Sequence, residues 1–114
     1  MDSLTTQILV KALDGLSARS IVTAQNIANG GTVGYRPLRL SFEQALADAA
    51  GRDEAAVAAV RPQTTQALAG TVDGTLRMDL ELATASSTAL RYGALIDLLG
   101  RRMQVEALVY SGTN

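Results

Sequence analysis

From Ser3 to Asn29 the chain keeps one unbroken apolar rhythm, then stops abruptly against Asn29, Gly30, Gly31 and Gly34. Leu9, Leu13, Leu16, Ser20, Thr23 and Ile27 follow one another at intervals of 4, 3, 4, 3 and 4. Ile8, Ala12, Gly15, Arg19, Val22 and Asn26 repeat those intervals alongside. Such spacing sets residues in rows along a helix, and a 3–4 alternation is the seam of a coiled coil. The first row is such a seam; the second, rich in small residues, suits a close neighbour. Only Lys11, Asp14 and Arg19 are ionisable over this stretch, fewer than a solvated helix face carries. A helix over 3–29 is therefore predicted, covered on more than one side. Ser3 is placed to cap its start, and glycine and asparagine, which tolerate positive φ, end it.

A second helix is predicted over 79–110. Ala85, Ala89, Tyr92, Ile96, Leu99 and Met103 step by 4, 3, 4, 3 and 4, with Leu95, Leu98, Arg102, Val105 and Val109 beside them. Asp79 and Glu81 suit its positive N-terminal end, and Ser111-Gly112 closes the pattern. The middle segment, 30–78, reads differently. Residues 30–40 are loop or extended chain, since Pro37 disfavours helix at Arg36. Ser41-Phe42-Glu43-Gln44 has the S-x-x-Q form of a capping box, which opens a short helix from about 42 to 50 with Phe42 and Leu46 on one face. Glu54 to Val60 fits a helical turn or a strand; Gln63 to Gly74 reads as loop, with a turn at Asp73-Gly74. With 114 residues, one domain (1–114) is the limit. The fold class is all-α: two long terminal helices paired as an antiparallel coiled coil, joined by an irregular middle segment with a short helix. Leu13, Leu16, Ile96 and Leu99, with Tyr92, are expected between the terminal helices.

Composition narrows function more than it narrows fold. The chain is 47% hydrophobic but only 4% aromatic, much of the apolar share being alanine, so closely packed helices fit better than a thick core. It has no cysteine, which excludes disulfides and thiolate zinc sites. It has no histidine, and so lacks the commonest general base and metal ligand. A net charge of −1 offers nucleic acid no electrostatic grip. Asp79 and Glu81, two apart on a helix, point to different faces. Ser86-Ser87 has no histidine or nearby lysine to activate it. Asp73, Asp79 and Glu81 do not match a calcium loop. No catalytic, cofactor or metal site is expected, and no small-molecule substrate. No basic residue precedes Lys11, unlike a cleavable secretory signal, and uncharged Ser20–Tyr35 is too polar and short to span a membrane.

The turn itself, Gln25 to Arg36, holds the remaining information. Its glycines follow a helix rather than precede one, and no Walker lysine is present, which argues against a phosphate loop. Tyr35 either anchors a neighbouring chain or packs on its own helix beside an ordinary C-cap. Asn26-Ile27-Ala28-Asn29, then Thr32-Val33-Gly34-Tyr35-Arg36, then Phe42-Glu43, resembles the N-terminal signature of bacterial flagellar rod and hook proteins. Val33 stands where that family has proline, so the turn loses a fixed φ. Asp73-Gly74-Thr75-Leu76-Arg77-Met78-Asp79-Leu80-Glu81 is similar to the run before the family's C-terminal helix, less one asparagine after Asp-Gly. Leu90-Arg91-Tyr92 and Leu98-Leu99 resemble that helix. The likeness covers both ends and is weak from 47 to 72; the short length favours the proximal-rod branch.

The resemblance implies a structural subunit of the flagellar basal-body rod, in the periplasmic space, that transmits torque. It implies packing with other rod proteins, copies of itself and membrane-ring or rod-junction proteins. It also implies export without a cleaved signal peptide through the flagellar type III apparatus. Asn26, Ile27, Asn29, Gly34, Tyr35 and Phe42, with the seam residues, would then serve assembly. Phe42 and Leu46 form either an exposed export signal or a contact with the helix pair. With a second stripe on each helix lacking a partner within a two-helix monomer, ordering is expected to couple to assembly. The alternative is a small soluble coiled-coil adaptor or export chaperone.

Overall fold

The computed structural model describes residues 2–68 and 77–112. Helix α1 spans Ser3–Ala28 and helix α4 spans Met78–Gly112. Between them come strand β1 (Leu38–Ser41), helix α2 (Glu43–Ala50), helix α3 (Glu54–Ala59) and strand β2 (Gln63–Gln66). The Asp73-Gly74 turn expected from the sequence lies outside the described residues. The molecule is elongated, 64 Å along its longest axis and 14 Å along its shortest.

The long helices pack against each other and run antiparallel. Asn26 near the end of α1 bonds Glu81 near the start of α4. Leu16 shares a groove with Leu95, and the charge of Arg102 reaches Asp2. Leu13 and Leu16 are buried, as their spacing predicts. On α4 the phase differs from the predicted one: Glu81 and Thr88 are buried, Leu95 and Leu99 half-buried, while Tyr92 and Ile96 are 39% and 46% exposed. Two neighbouring rows on α4 both step by three and four, so spacing alone leaves the choice open by one residue. Contact settles it, because Leu95 packs on the core cluster that contains Leu16 and Phe42.

Helix α1 starts one residue earlier than its expected cap. The Asp2 carboxylate accepts from the Thr5 N–H at 2.6 Å, a charge-assisted bond at the positive end of the helix. Ser3 instead donates its hydroxyl to Glu54 on α3. The capping box expected at Ser41 does not form either. Ser41 belongs to β1, Phe42 precedes α2 without a side-chain cap, and the Gln44 amide bonds Asp48. The segment 54–60, open between helix and strand, is helix over 54–59 and extended at Val60, with Asp53 capping at Ala56 N–H.

The middle segment is more ordered than its composition suggests. Strands β1 and β2 pair antiparallel, Leu38 opposite Gln66 and Ser41 opposite Gln63; β1 lies mostly in a region expected to be loop or extended chain, β2 in one expected to be loop. Thr64 and Thr65 favour extended chain, and pairing with β1 turns that local preference into a strand. Helices α2 and α3 fill the connection and supply most of a small core: Phe42, Leu46, Ala49 and Val57, closed by Leu16 of α1. Phe42 is 4% and Leu46 7% exposed, so the pair is packed against the helices rather than displayed. Burying a ring such as that of Phe42 contributes about 2–3 kcal/mol.

Candidate assembly site at the turn and its two helices

The second stripe of α1 meets the chain's own middle segment. Gly15 faces the Phe42 ring so closely that a Cβ there would lie 2.5 Å from ring carbon Cγ. A glycine is required by contact, since no side chain fits. One turn on, the Arg19 guanidinium sits 5.0 Å from the centroid of the same ring, a cation–π distance. Its two terminal nitrogens donate to both oxygens of Glu43 at 2.5 and 2.7 Å, and one also donates to the Leu40 carbonyl at 3.0 Å. That pairing lowers the Glu43 carboxyl to about 2 and raises Arg19.

Two turns beyond Arg19, Asn26 is 1% exposed and uses its whole amide. Its Oδ1 accepts from the Leu38 N–H at 2.9 Å and from the Tyr35 hydroxyl at 2.6 Å. Its Nδ2 donates to the Leu38 carbonyl at 2.9 Å and to Glu81 Oε2 at 3.2 Å. Leu38 thus exchanges both backbone bonds with a side chain, as it would with a strand. On the β2 side the ladder bonds fall at neighbouring positions, as with the Ala67 N–H to the Pro37 carbonyl at 3.1 Å. Asn26 and Arg19 together satisfy the outer edge of β1 at Leu38 and Leu40, which would otherwise invite another strand. Glu81, 3% exposed, accepts in turn from Arg39 at 2.7 Å. Burial of this carboxylate is tolerable because Arg39 and the Asn26 amide occupy both its oxygens.

The turn that delivers Leu38 to Asn26 has two steps, Thr32 N–H to the Asn29 carbonyl at 3.0 Å and Tyr35 N–H to the Thr32 carbonyl at 3.2 Å. Gly34 has φ +79° and is the one positive-φ residue among those described. Valine or any other side chain would be strained there. Asn29 closes α1 with its side-chain amide donating to the Gln25 carbonyl at 2.9 Å. Tyr35 is half-buried on its own helix, which matches the second of its two readings. Ile27 is half-buried.

The expected site residues therefore separate into three groups. Asn26, Asn29, Gly34 and Tyr35 come together at the turn. Leu13, Leu16 and Phe42 lie in the packed interior, with Leu99 half-covered between the helices. Tyr92 and Ile96 stand on the open side of α4, near Leu98 (42% exposed). Sequence reasoning missed Glu81, taken as a charge suited to a helix start. Its signal is the seven-residue step from Glu81 to Thr88 to Leu95, a heptad phase that polar residues disguise. Among the described residues no cluster of three potential metal ligands occurs, and no helix is long and apolar enough to cross a membrane. The hydrogen bonds of Asn26, Arg19 and Glu81 hold the turn, β1 and the two long helices together.

Beyond the turn, the outer half of α4 shows the opposite character. Met103, Val105, Leu108 and Val109 are all more than half exposed. No protein-family model matches the chain, and no curated protein matches it significantly.

Proposed function

We propose that the chain is a structural subunit of the bacterial flagellar rod, of the short, proximal, FlgB-like kind. The reading rests on the resemblance of its two terminal segments, and one observation carries it further. Asn26, Gly34 and Tyr35 from the first segment and Glu81 from the second serve one turn and one buried hydrogen-bonded cluster, though Asn26 and Glu81 lie 55 positions apart. Two stretches that resemble one family separately are thus joined in the fold, as parts of a single pattern would be. The exposed apolar row of α4 adds support, since a torque-bearing subunit needs surface left for rod neighbours and ring proteins.

In that role the polar cluster sets the angle at which the turn leaves the helix pair, and α4 offers the side-to-side contact. Contacts between unlike surfaces of successive copies extend into helical assemblies unless they close. Type III export and a periplasmic rod location belong to the same proposal. Deletion of the gene in its own bacterium should abolish swimming, and basal bodies from a complemented strain should contain the chain in the rod. Intact basal bodies in the deletion strain, with the chain recovered as small discrete soluble oligomers, would overturn the proposal and favour the adaptor.

A further inference from the structure

An open cleft of about 580 Å³ lies between the second half of α1, strand β1 and the first half of α4. Arg19, Arg39 and Arg91 line it, against a backing that includes Val22 and Leu80. Two carboxylates answer these three guanidinium groups. Glu43 is held by both nitrogens of Arg19, and Glu81 by Arg39. Arg91 has only a 3.9 Å approach to the already occupied Glu43 and makes no hydrogen bond among the described residues. Three positive and two negative groups leave the cleft with one uncompensated positive charge.

A second observation is independent of charge. Thr23 and Thr88 line the same cleft and are only 3% and 4% exposed, yet neither hydroxyl has a hydrogen-bond partner among the described residues. No fully enclosed polar side-chain atom lacks a partner among the described residues, so both hydroxyls keep a small opening to solvent at the cleft they line. Arg39 bonds through one terminal nitrogen alone, to the Leu38 carbonyl and Glu81, leaving its other N–H donors for a guest. Hydroxyls and guanidinium N–H groups that line a cleft without protein partners suit an oxygen acceptor bearing negative charge.

We propose that this cleft binds an acidic side chain of another polypeptide, its carboxylate meeting Arg91 and Arg39 with Thr88 and Thr23 completing the contact. The space is large for a small inorganic anion alone, and its partly apolar wall suits the stem of a glutamate and adjoining chain. The inference stands whether or not the chain is a rod subunit.

The test follows thermal unfolding of the full chain by circular dichroism, with a blocked peptide of alternating glutamate and alanine, against sodium chloride at equal ionic strength. A ligand that binds the folded form raises its midpoint. The peptide should raise it by about 5 °C at saturation, or add helical signal where the free chain is incompletely ordered. Arg91→Gln, at an exposed position, should abolish the effect, as should Thr88→Val. Arg101→Gln, paired elsewhere with Asp97, should retain it. An equal shift in wild type and Arg91→Gln, or none in wild type, overturns the proposal. Inorganic phosphate giving an Arg91-dependent shift where the peptide gives none would also overturn it, and assign the cleft to a free anion.

Discussion

Ile8, Ala12, Gly15, Arg19, Val22 and Asn26 form one stripe of α1, and Leu95, Leu98, Arg102, Val105 and Val109 form the matching stripe of α4. Both stripes have the same 3–4 spacing, yet the first is met by α2, β1 and the turn, while the second touches the core only at Leu95 and lies largely in solvent from Leu98 onward. Reach explains the difference. The middle segment leaves the end of α1 and folds back over that helix. Helix α4 has 35 residues against 26 in α1, so about 13 Å of it runs past its partner at 1.5 Å per residue. Periodicity therefore announces that a face needs cover without saying whether the chain itself supplies it. The expectation that the second stripe finds no cover within the chain is corrected for α1, and for α4 at Leu95, which packs on the core; Leu98, Val105 and Val109 stay exposed.

The sharpest way to break this contrast is to remove the amide that closes the covered side. Asn26→Ala should cost roughly 3–4 kcal/mol, since the Leu38 N–H and carbonyl and one oxygen of Glu81 would lose their partner away from water. Urea unfolding measures it, and a loss below about 1 kcal/mol would mean that water replaces the amide freely.

The covered region was also the part least legible in the sequence. The long helices, their stop at Asn29, the short helix from Glu43 and the need for glycine at position 34 could all be read from local chemistry. Strand β2 could not, because Gln63–Gln66 is polar throughout and becomes a strand only through pairing with β1. Glu81 could not, because its partners lie 42 and 55 positions away. Gly15 sat in a stripe of small residues, but nothing local named Phe42 as the ring it admits.

A smaller effect is expected at the turn. Gly34→Val forces a β-branched residue to φ near +79° and should cost about 1–3 kcal/mol, whereas Thr32→Ser should be almost silent. Equal stabilities of the two variants would show that the turn can relax without disturbing Leu38.

Acid should loosen the Arg19–Glu43 link on the covered side. The folded-state pKa of Glu43 is depressed to about 2 from an ordinary 4.5. Its contribution is therefore complete above pH 4.5 and lost as pH falls toward 2. Glu43 is about half exposed, so screening holds the effect to about 1 kcal/mol or less. Unfolding free energy measured across that window should fall in the wild type, and Glu43→Gln should flatten this component of the fall.

The smallest effect on the isolated chain belongs to the uncovered side. Leu108→Ser should change its stability by no more than about 0.5 kcal/mol, and the proposed rod role would have it reduce incorporation into the rod. Amide hydrogen exchange of the free chain should be slow from Leu13 to Asn26 and fast from about Leu98 onward, where few contacts oppose opening. Uniform protection along α4 would remove the distinction between its two halves.

The antiparallel pairing also gives the molecule a direction of mechanical weakness. Asp2 and Gly112 leave the helix pair at the same end, while the Asn26–Glu81 contact rivets the other. Force applied through the two ends of the chain peels the helices apart one contact after another, reaching the rivet last. Force applied along the helix axes loads every contact at once. The same bonds therefore resist sliding far better than peeling, and a tether placed across the open end would stiffen the molecule more than one placed beside the turn.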